Sequence, residues 1–143
     1  MQQIEIIQTF NKPVAKVFTD LSDHATFGRI IGANIQRIKD SNDADKNGLG
    51  SIRLIKSFPA PPFEETIVAF EPNKFIAYEI SKGSPIKNHR GELHFSGESE
   101  NSKLVYTIRF EPNVSIPMWA GLLKNLIEKP IRKGLIEYAE SRS

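Results

Sequence analysis

Arg53, Glu65 and His89 have the side-chain types that bind or move protons on a small molecule. They supply a cation, a carboxylate and an imidazole, and grouped at one cavity they would orient a polar ligand group or exchange protons with it. Tyr78, Tyr106 and Trp119 each join an apolar body to a polar tip, which suits a site holding a mainly apolar ligand by a few hydrogen bonds. Phe27, Leu123 and Ile127 are apolar candidates for the same lining. Each also has a plainer account. The aromatics serve equally as core residues with locally satisfied tips, and Arg53 and Glu65 as a solvated face or a cross-strand ion pair.

Other chemistries find less support. The chain has no cysteine, so neither a disulfide framework nor thiol catalysis is available. His89 and His94 lie an odd number of residues apart on one expected strand, hence on opposite faces, and with His24 they assemble no structural zinc site. No nucleophile-elbow motif accompanies the serines, and Gly48-Leu49-Gly50 is not followed by the helix that a phosphate cradle requires. No metal and no cofactor is expected. Pro59-Ala60-Pro61-Pro62-Phe63 reads as a rim loop shaping a cavity mouth, in preference to a docking segment.

Composition narrows the partners. The net charge of +2 comes from Lys and Arg spread along the chain, so no nucleic-acid footprint is present. At 143 residues and 39% apolar content, residues 1–143 suffice for one domain with one substantial core. The N-terminus lacks the basic-then-apolar order of a signal peptide, and no apolar run approaches the roughly 20 residues that span a bilayer. A cytoplasmic protein, monomer or homodimer, with no transmembrane segment is expected.

The elements that must position these residues follow from periodicity. Gln3 to Thr9 alternates around Ile4 and Ile6 as a half-buried strand does, with Ile7 disturbing the pattern. Asn11-Lys12-Pro13 then offers a helix start with Asn11 as cap, and Val14, Val17, Phe18 and Leu21 follow at helical spacing. Ser22-Asp23 caps a second short helix that brings Phe27 inward, ending at Gly28 or Gly32. Strands are expected over Asn34 to Lys39, Ser51 to Ser57, Phe63 to Phe70, Phe75 to Ile80, His89 to Phe95 and Leu104 to Phe110. Tight or polar turns join the last four in pairs. Ser115 to Ser143 closes the chain as one long amphipathic helix whose stripe carries Trp119, Leu123, Leu126, Ile127 and Ile131, together with Pro130 and Gly134. Strand, two short helices, six strands and a long helix make an α+β plan: a seven-stranded antiparallel sheet whose apolar face the last helix covers.

Two-residue periodicity sorts the faces. Leu104, Tyr106, Ile108 and Phe110 should face the helix, as should Ile76, Tyr78 and Ile80, and His89, Gly91, Leu93 and Phe95, with Gly91 leaving room. Arg53 goes with Ser51 and Ile55 against Ile52 and Leu54, and Glu65 goes with Ile67 and Ala69 against Thr66, Val68 and Phe70. Composition therefore leaves the orientation of both open. Pro130 and Gly134 in the helix stripe imply a kink and missing volume toward the sheet. Lys124, Lys129 and Arg132 point away from the stripe, with Lys133 at its edge, as a solvated face.

Pro13-Val14-Ala15-Lys16-Val17-Phe18 with Leu21-Ser22-Asp23, Gly48-Leu49-Gly50-Ser51-Ile52-Arg53, Glu65 with Ile67 and Phe70-Glu71-Pro72, and Ala77-Tyr78 together carry a resemblance. Over nearly its whole length the chain resembles the START-like, or Bet v 1-like (SRPBCC), superfamily, and within it the polyketide cyclase/dehydrase and lipid-transport group. The resemblance implies a helix-grip fold, a curved seven-stranded antiparallel sheet wrapped around the C-terminal helix, with a hydrophobic cavity between them. It implies binding or transport of a small hydrophobic molecule such as a lipid, polyketide or aromatic compound. A cyclase or dehydratase moving protons with Glu65 and Arg53, or His89 and Tyr78, is the second reading. A co-chaperone-like interaction module with a filled core is the third. A carboxylate or histidine inside the cavity beside a second polar group favours catalysis, an apolar lining favours carriage, and a closed interior favours the module.

Overall fold

The computed structural model describes residues 2–56, 61–83, 86–112 and 117–141, without the side chains of residues 86–87, 112, 117–121 and 123. Strand β1 (Gln2–Phe10) leads through helices α1 (Val14–Ser22) and α2 (His24–Ile31) to strands β2 (Asn34–Lys39), β3 (Ile52–Lys56), β4 (Phe63–Glu71), β5 (Phe75–Lys82), β6 (Ile86–Glu98) and β7 (Asn101–Pro112). Helix α3 (Pro117–Glu140) follows. The strands form one seven-stranded antiparallel sheet in the order β1-β7-β6-β5-β4-β3-β2. This is the expected α+β plan.

Alternation is what selects the inner face. Ile4, Ile6 and Phe10 of β1, Leu93 and Phe95 of β6, and Leu104, Tyr106, Ile108 and Phe110 of β7 are all buried, while Ile7 is 52% exposed on the other side. Ile7 therefore keeps strict register, and the apparent disturbance is one apolar residue facing outward. The parity argument fails at β4, where the pairing with β5 slips between Ile67 and Ala69. Val68 is left exposed at that slip, and Phe70, expected on the opposite face from Glu65, instead packs edge-on against Phe18 at 5.3 Å. Strands β6 and β7 run on past their expected ends, so the polar segment from Ser96 to Ser102 is mostly paired strand.

The short helices depart from expectation at one end only. Pro13, not Asn11, occupies the N-cap of α1, and no side chain caps it. Asp23 caps α2 as expected, accepting from the Thr26 amide at 3.0 Å, and Gly32 ends the helix at φ 75, a left-handed conformation that glycine adopts without cost.

Helix α3 differs most. It packs mainly against β1 and α2 and less against β7. Ile131 and Leu135 are buried and Ile127 packs partly against the core, but Leu126 is 54% exposed and Pro130 is exposed too. Pro130 thus lies outside the buried stripe. Gly134 is buried as expected, yet it does not face a gap: a Cβ there would overlap the Ile30 carbonyl oxygen at the end of α2. The missing side chain permits helix-to-helix contact and leaves no cavity behind. The far end of α3 is tied down by Tyr138, which donates to Asp20 Oδ2 at 2.6 Å, and by Lys12, which donates to the Ser141 carbonyl at 2.6 Å. The side chains of Trp119 and Leu123 lie outside the described residues, as do Ser57, Pro59, Ala60 and Ser115.

Gly134→Leu should consequently lower stability by about 2 kcal/mol or more, since the backbone of α2 cannot yield as a side chain would. Urea denaturation checks this. An unchanged or raised midpoint would restore the reading of Gly134 as the wall of a gap.

Candidate functional site

Arg53 and Glu65 are direct partners across β3 and β4, and both point inward. They are 3% and 5% exposed, which resolves the orientation that parity left open. Arg53 donates through Nε and Nη2, each at 2.8 Å, to the same oxygen, Glu65 Oε1. The predicted cross-strand ion pair thus exists, but in the core. Burial works against the Arg53 charge, but the charge and hydrogen bond of Glu65 together with the nearby Tyr78 and Tyr106 outweigh it and raise the guanidinium pKa.

The other candidates converge on this pair. The Arg53 guanidinium lies over the rings of Tyr78, at 4.5 Å, and Phe27, at 5.1 Å, both buried. Tyr78 comes from β5 and Phe27 from the inner face of α2. The Tyr78 hydroxyl is hydrogen-bonded to the Tyr106 hydroxyl from β7. Burial pushes both phenols up, so they remain neutral donors and acceptors. Gly91 was expected to leave room here, but the Tyr78 ring fills it. A Cβ at Gly91 would overlap that ring.

His89 shares the inner face of β6. A slip in the pairing with β7 between Lys87 and Arg90, with Asn88 at φ 51, sets its position. Its ring packs 5.5 Å from Tyr78, and its Nε2 lies 4.0 Å from Glu65 Oε2, the oxygen that Arg53 leaves free. Its Nδ1 is buried with no hydrogen-bond partner among the described residues. Burial lowers the His89 pKa; Glu65 opposes this and Arg53 reinforces it. His94, by contrast, is exposed on the outer face, 3.2 Å from Glu92. Among the described residues no group of three or more His, Cys, Asp or Glu side chains could hold a metal ion.

Two members escaped sequence reasoning. His24 is 1% exposed, with Nε2 at 3.0 Å from Ser51 Oγ and Nδ1 at 3.5 Å from Arg53 Nη1. Ser51 is fully buried just before β3. The signal was available: His24 stands three residues before Phe27, so both occupy one face of α2. This pair is not a nucleophile and its base. A guanidinium only donates, so Nδ1 accepts, and the single proton of the neutral ring sits on Nε2 and points at Ser51. Burial, then the Arg53 and Arg37 charges, bring the His24 pKa down to about 3.

The geometry describes an interior face to which all seven strands bring apolar side chains, with one polar cluster centred on β3 and β4. A family model described as polyketide cyclase / dehydrase and lipid transport matches residues 1–139. The chain belongs to that family. Among solved structures, the fold matches XoxI from Bacillus cereus at 14% identity, covering 97% of this chain and 96% of that one, with a TM-score of 0.71. Ara h 8.0201 matches at 16% identity, covering 99% of each chain, with a TM-score of 0.68. The di-domain aromatase/cyclase BexL, from the BE-7585A biosynthetic pathway, matches at 11% identity and a TM-score of 0.74, covering 97% of this chain and 45% of that one. No curated protein sequence matches. The family is thus one of ligand-binding folds, and the architecture is that of the Bet v 1-like proteins. Among the described residues no helix is long and apolar enough to cross a membrane.

His24 carries a pH signature. Its folded pKa lies below its unfolded value of 6.5, so the unfolded chain takes up the proton first, and the stability it contributes above 6.5 is lost as pH falls toward about 3. His24→Gln keeps a donor at the Nε2 position without a titrating ring. The variant should lose less stability than the parent between pH 6.5 and 4, measured by denaturant unfolding at each pH. Parallel pH profiles would contradict the assignment.

Proposed function

We propose that this protein binds a small, mainly apolar molecule on the inner face of the sheet beneath α3, with Arg53, Glu65, Tyr78, Tyr106 and His89 fixing its polar group. Phe27 and Ile127 contribute apolar contact, and Trp119 and Leu123 sit on the first turns of α3 above it by sequence position. The observation that carries the reading is the buried Arg53–Glu65 pair. A core needs no charges, and a buried ion pair is seldom a net source of stability, so its retention beside two phenols and an imidazole suits a recognition role. Membership of a family described by polyketide cyclisation and lipid transport supports the same reading.

Binding takes precedence over turnover because most of these polar groups engage one another. Arg53 is occupied by Glu65 and His24, and the tyrosines share a hydrogen bond. Native mass spectrometry of the purified protein, with extraction of whatever co-purifies, tests the proposal. A reproducible adduct of one small apolar molecule per chain is expected. A bare chain that also fails to bind apolar fluorescent probes would sink it.

One contact favours the second reading, a cyclase- or dehydratase-type enzyme. Glu65 Oε2 and His89 Nε2 face each other at 4.0 Å, too far for a direct hydrogen bond and placed so that a substrate oxygen could pass a proton between them. In that case Glu65→Gln would abolish conversion of a poly-β-ketone substrate. Equal turnover by parent and variant would remove Glu65 as the proton carrier.

A further inference from the structure

We infer that the outward face of α3 docks the protein on an anionic lipid surface, with Leu122, Leu126 and Ile136 entering the headgroup boundary and Lys129 and Lys133 meeting phosphates. Such docking is independent of whether the interior holds a ligand. Leu122, Leu126 and Ile136 are 50%, 54% and 43% exposed. Together with the exposed Lys129 and Lys133 they follow one another at steps of four, three, four and three residues. That spacing places all five on one line along the helix, a strip about 21 Å long.

The opposite face of α3 fixes this orientation. Ile131 and Leu135 are buried, and Gly134 lies too close to the Ile30 carbonyl to admit a Cβ. The helix cannot turn about its axis to hide Leu126 without opening those contacts. Not every cation of α3 belongs to the strip. Lys124 is half-buried, and Arg132 donates to Glu128 Oε2 and to the Glu5 carbonyl. Lys129 and Lys133 form no salt bridge among the described residues, and they border one shallow groove with Ile136. The helix turns acidic only past Ile136, at Glu137 and Glu140.

Interleaving of lysine with leucine and isoleucine selects the occupant. A second copy of the chain would bring Lys129 against Lys129 whether the two strips paired parallel or antiparallel. A protein groove would have to bury both ammonium groups among the leucines, a cost that only matched carboxylates offset. A bilayer interface needs no such match. Its acyl boundary takes the apolar side chains while the lysine stems extend outward and set their charges among the phosphates. Anionic headgroups are complementary to the two lysines and to a chain of net charge +2.

Co-sedimentation with vesicles of phosphatidylcholine containing about one-third phosphatidylserine, set against pure phosphatidylcholine, tests this. The protein should sediment with the anionic vesicles, leave them at high salt and ignore the neutral ones. Lys129→Glu combined with Lys133→Glu should weaken binding about tenfold or more, and Leu122→Ser combined with Leu126→Ser comparably. Urea midpoints should stay near the parent's, because all four side chains are exposed. Since the chain has no cysteine, a polarity-sensitive dye on Leu126→Cys reports the contact directly. Its emission should shift to the blue with anionic vesicles, whereas the same dye on Val68→Cys, exposed in β4, should not move. No binding by the parent, equal binding to both vesicle types, parental binding by the lysine variant, or a shift at position 68 in place of 126 would each overturn the inference. So would a dimer in sedimentation velocity that Leu126→Ser splits, which gives the strip to a second copy. Capture of an acidic amphipathic peptide by a chain that ignores vesicles would overturn it too, in favour of a protein partner.

Discussion

A salt bridge in the core constrains the rest of this interior. Removing a guanidinium and a carboxylate from water costs several kcal/mol for each ion even after relaxation, and their attraction recovers this only with close geometry and further polar neighbours. Here the geometry comes from direct cross-strand pairing of Arg53 with Glu65, and the neighbours come from everywhere else in the chain. α2 supplies His24 and Phe27, β5 supplies Tyr78, β6 supplies His89 and β7 supplies Tyr106. Each is adapted to the charge: the imidazoles are held neutral and the rings present their faces to the guanidinium. Remove the pair and most of these orientations lose their reason.

The polar residues are not spread evenly over the interior. Toward β1 and β7 the inner face is continuous Ile, Leu and Phe, and there α3 seats Ile131 and Leu135. Toward β3 and β4 the apolar residues Ile55 and Ile67 share it with the Arg53–Glu65 pair. Helix α3 is anchored at its C-terminal end, by the close contact of Gly134 with α2 and by the bonds of Tyr138 and Lys12, whereas its midsection exposes Leu122 and Leu126. The glycine that seemed to make space in fact fixes the anchor.

The sheet was readable because alternation is a local property. Every strand and both short helices of the structure correspond to a segment predicted from spacing, Asp23 and Gly32 act as the caps their chemistry implies, and Tyr78 and Tyr106 face inward by simple parity. Errors arose where a local rule met a non-local event. The slip in β4 reversed Phe70, since one extra residue flips every side chain beyond it. Pro130 and Leu126 were assigned to the buried stripe by helical angle alone, while the true buried face depends on where α2 and β1 stand.

The sequence by itself determined the element order, the α+β class, the absence of thiol chemistry and the residue types from which a recognition site could be made. It also carried enough diffuse pattern to suggest the family. Only the tertiary structure decided that Arg53 and Glu65 are buried partners, that His24 and Ser51 join them, that His89 has an unsatisfied nitrogen, and that Gly134 is a contact and not a void. The reason is that spacing along a chain dictates which face of its own element a side chain occupies, whereas charge pairing, burial and free volume depend on what another element brings opposite it. Arg53 and Glu65 are 12 residues apart in sequence and meet only because β3 and β4 pair in one register.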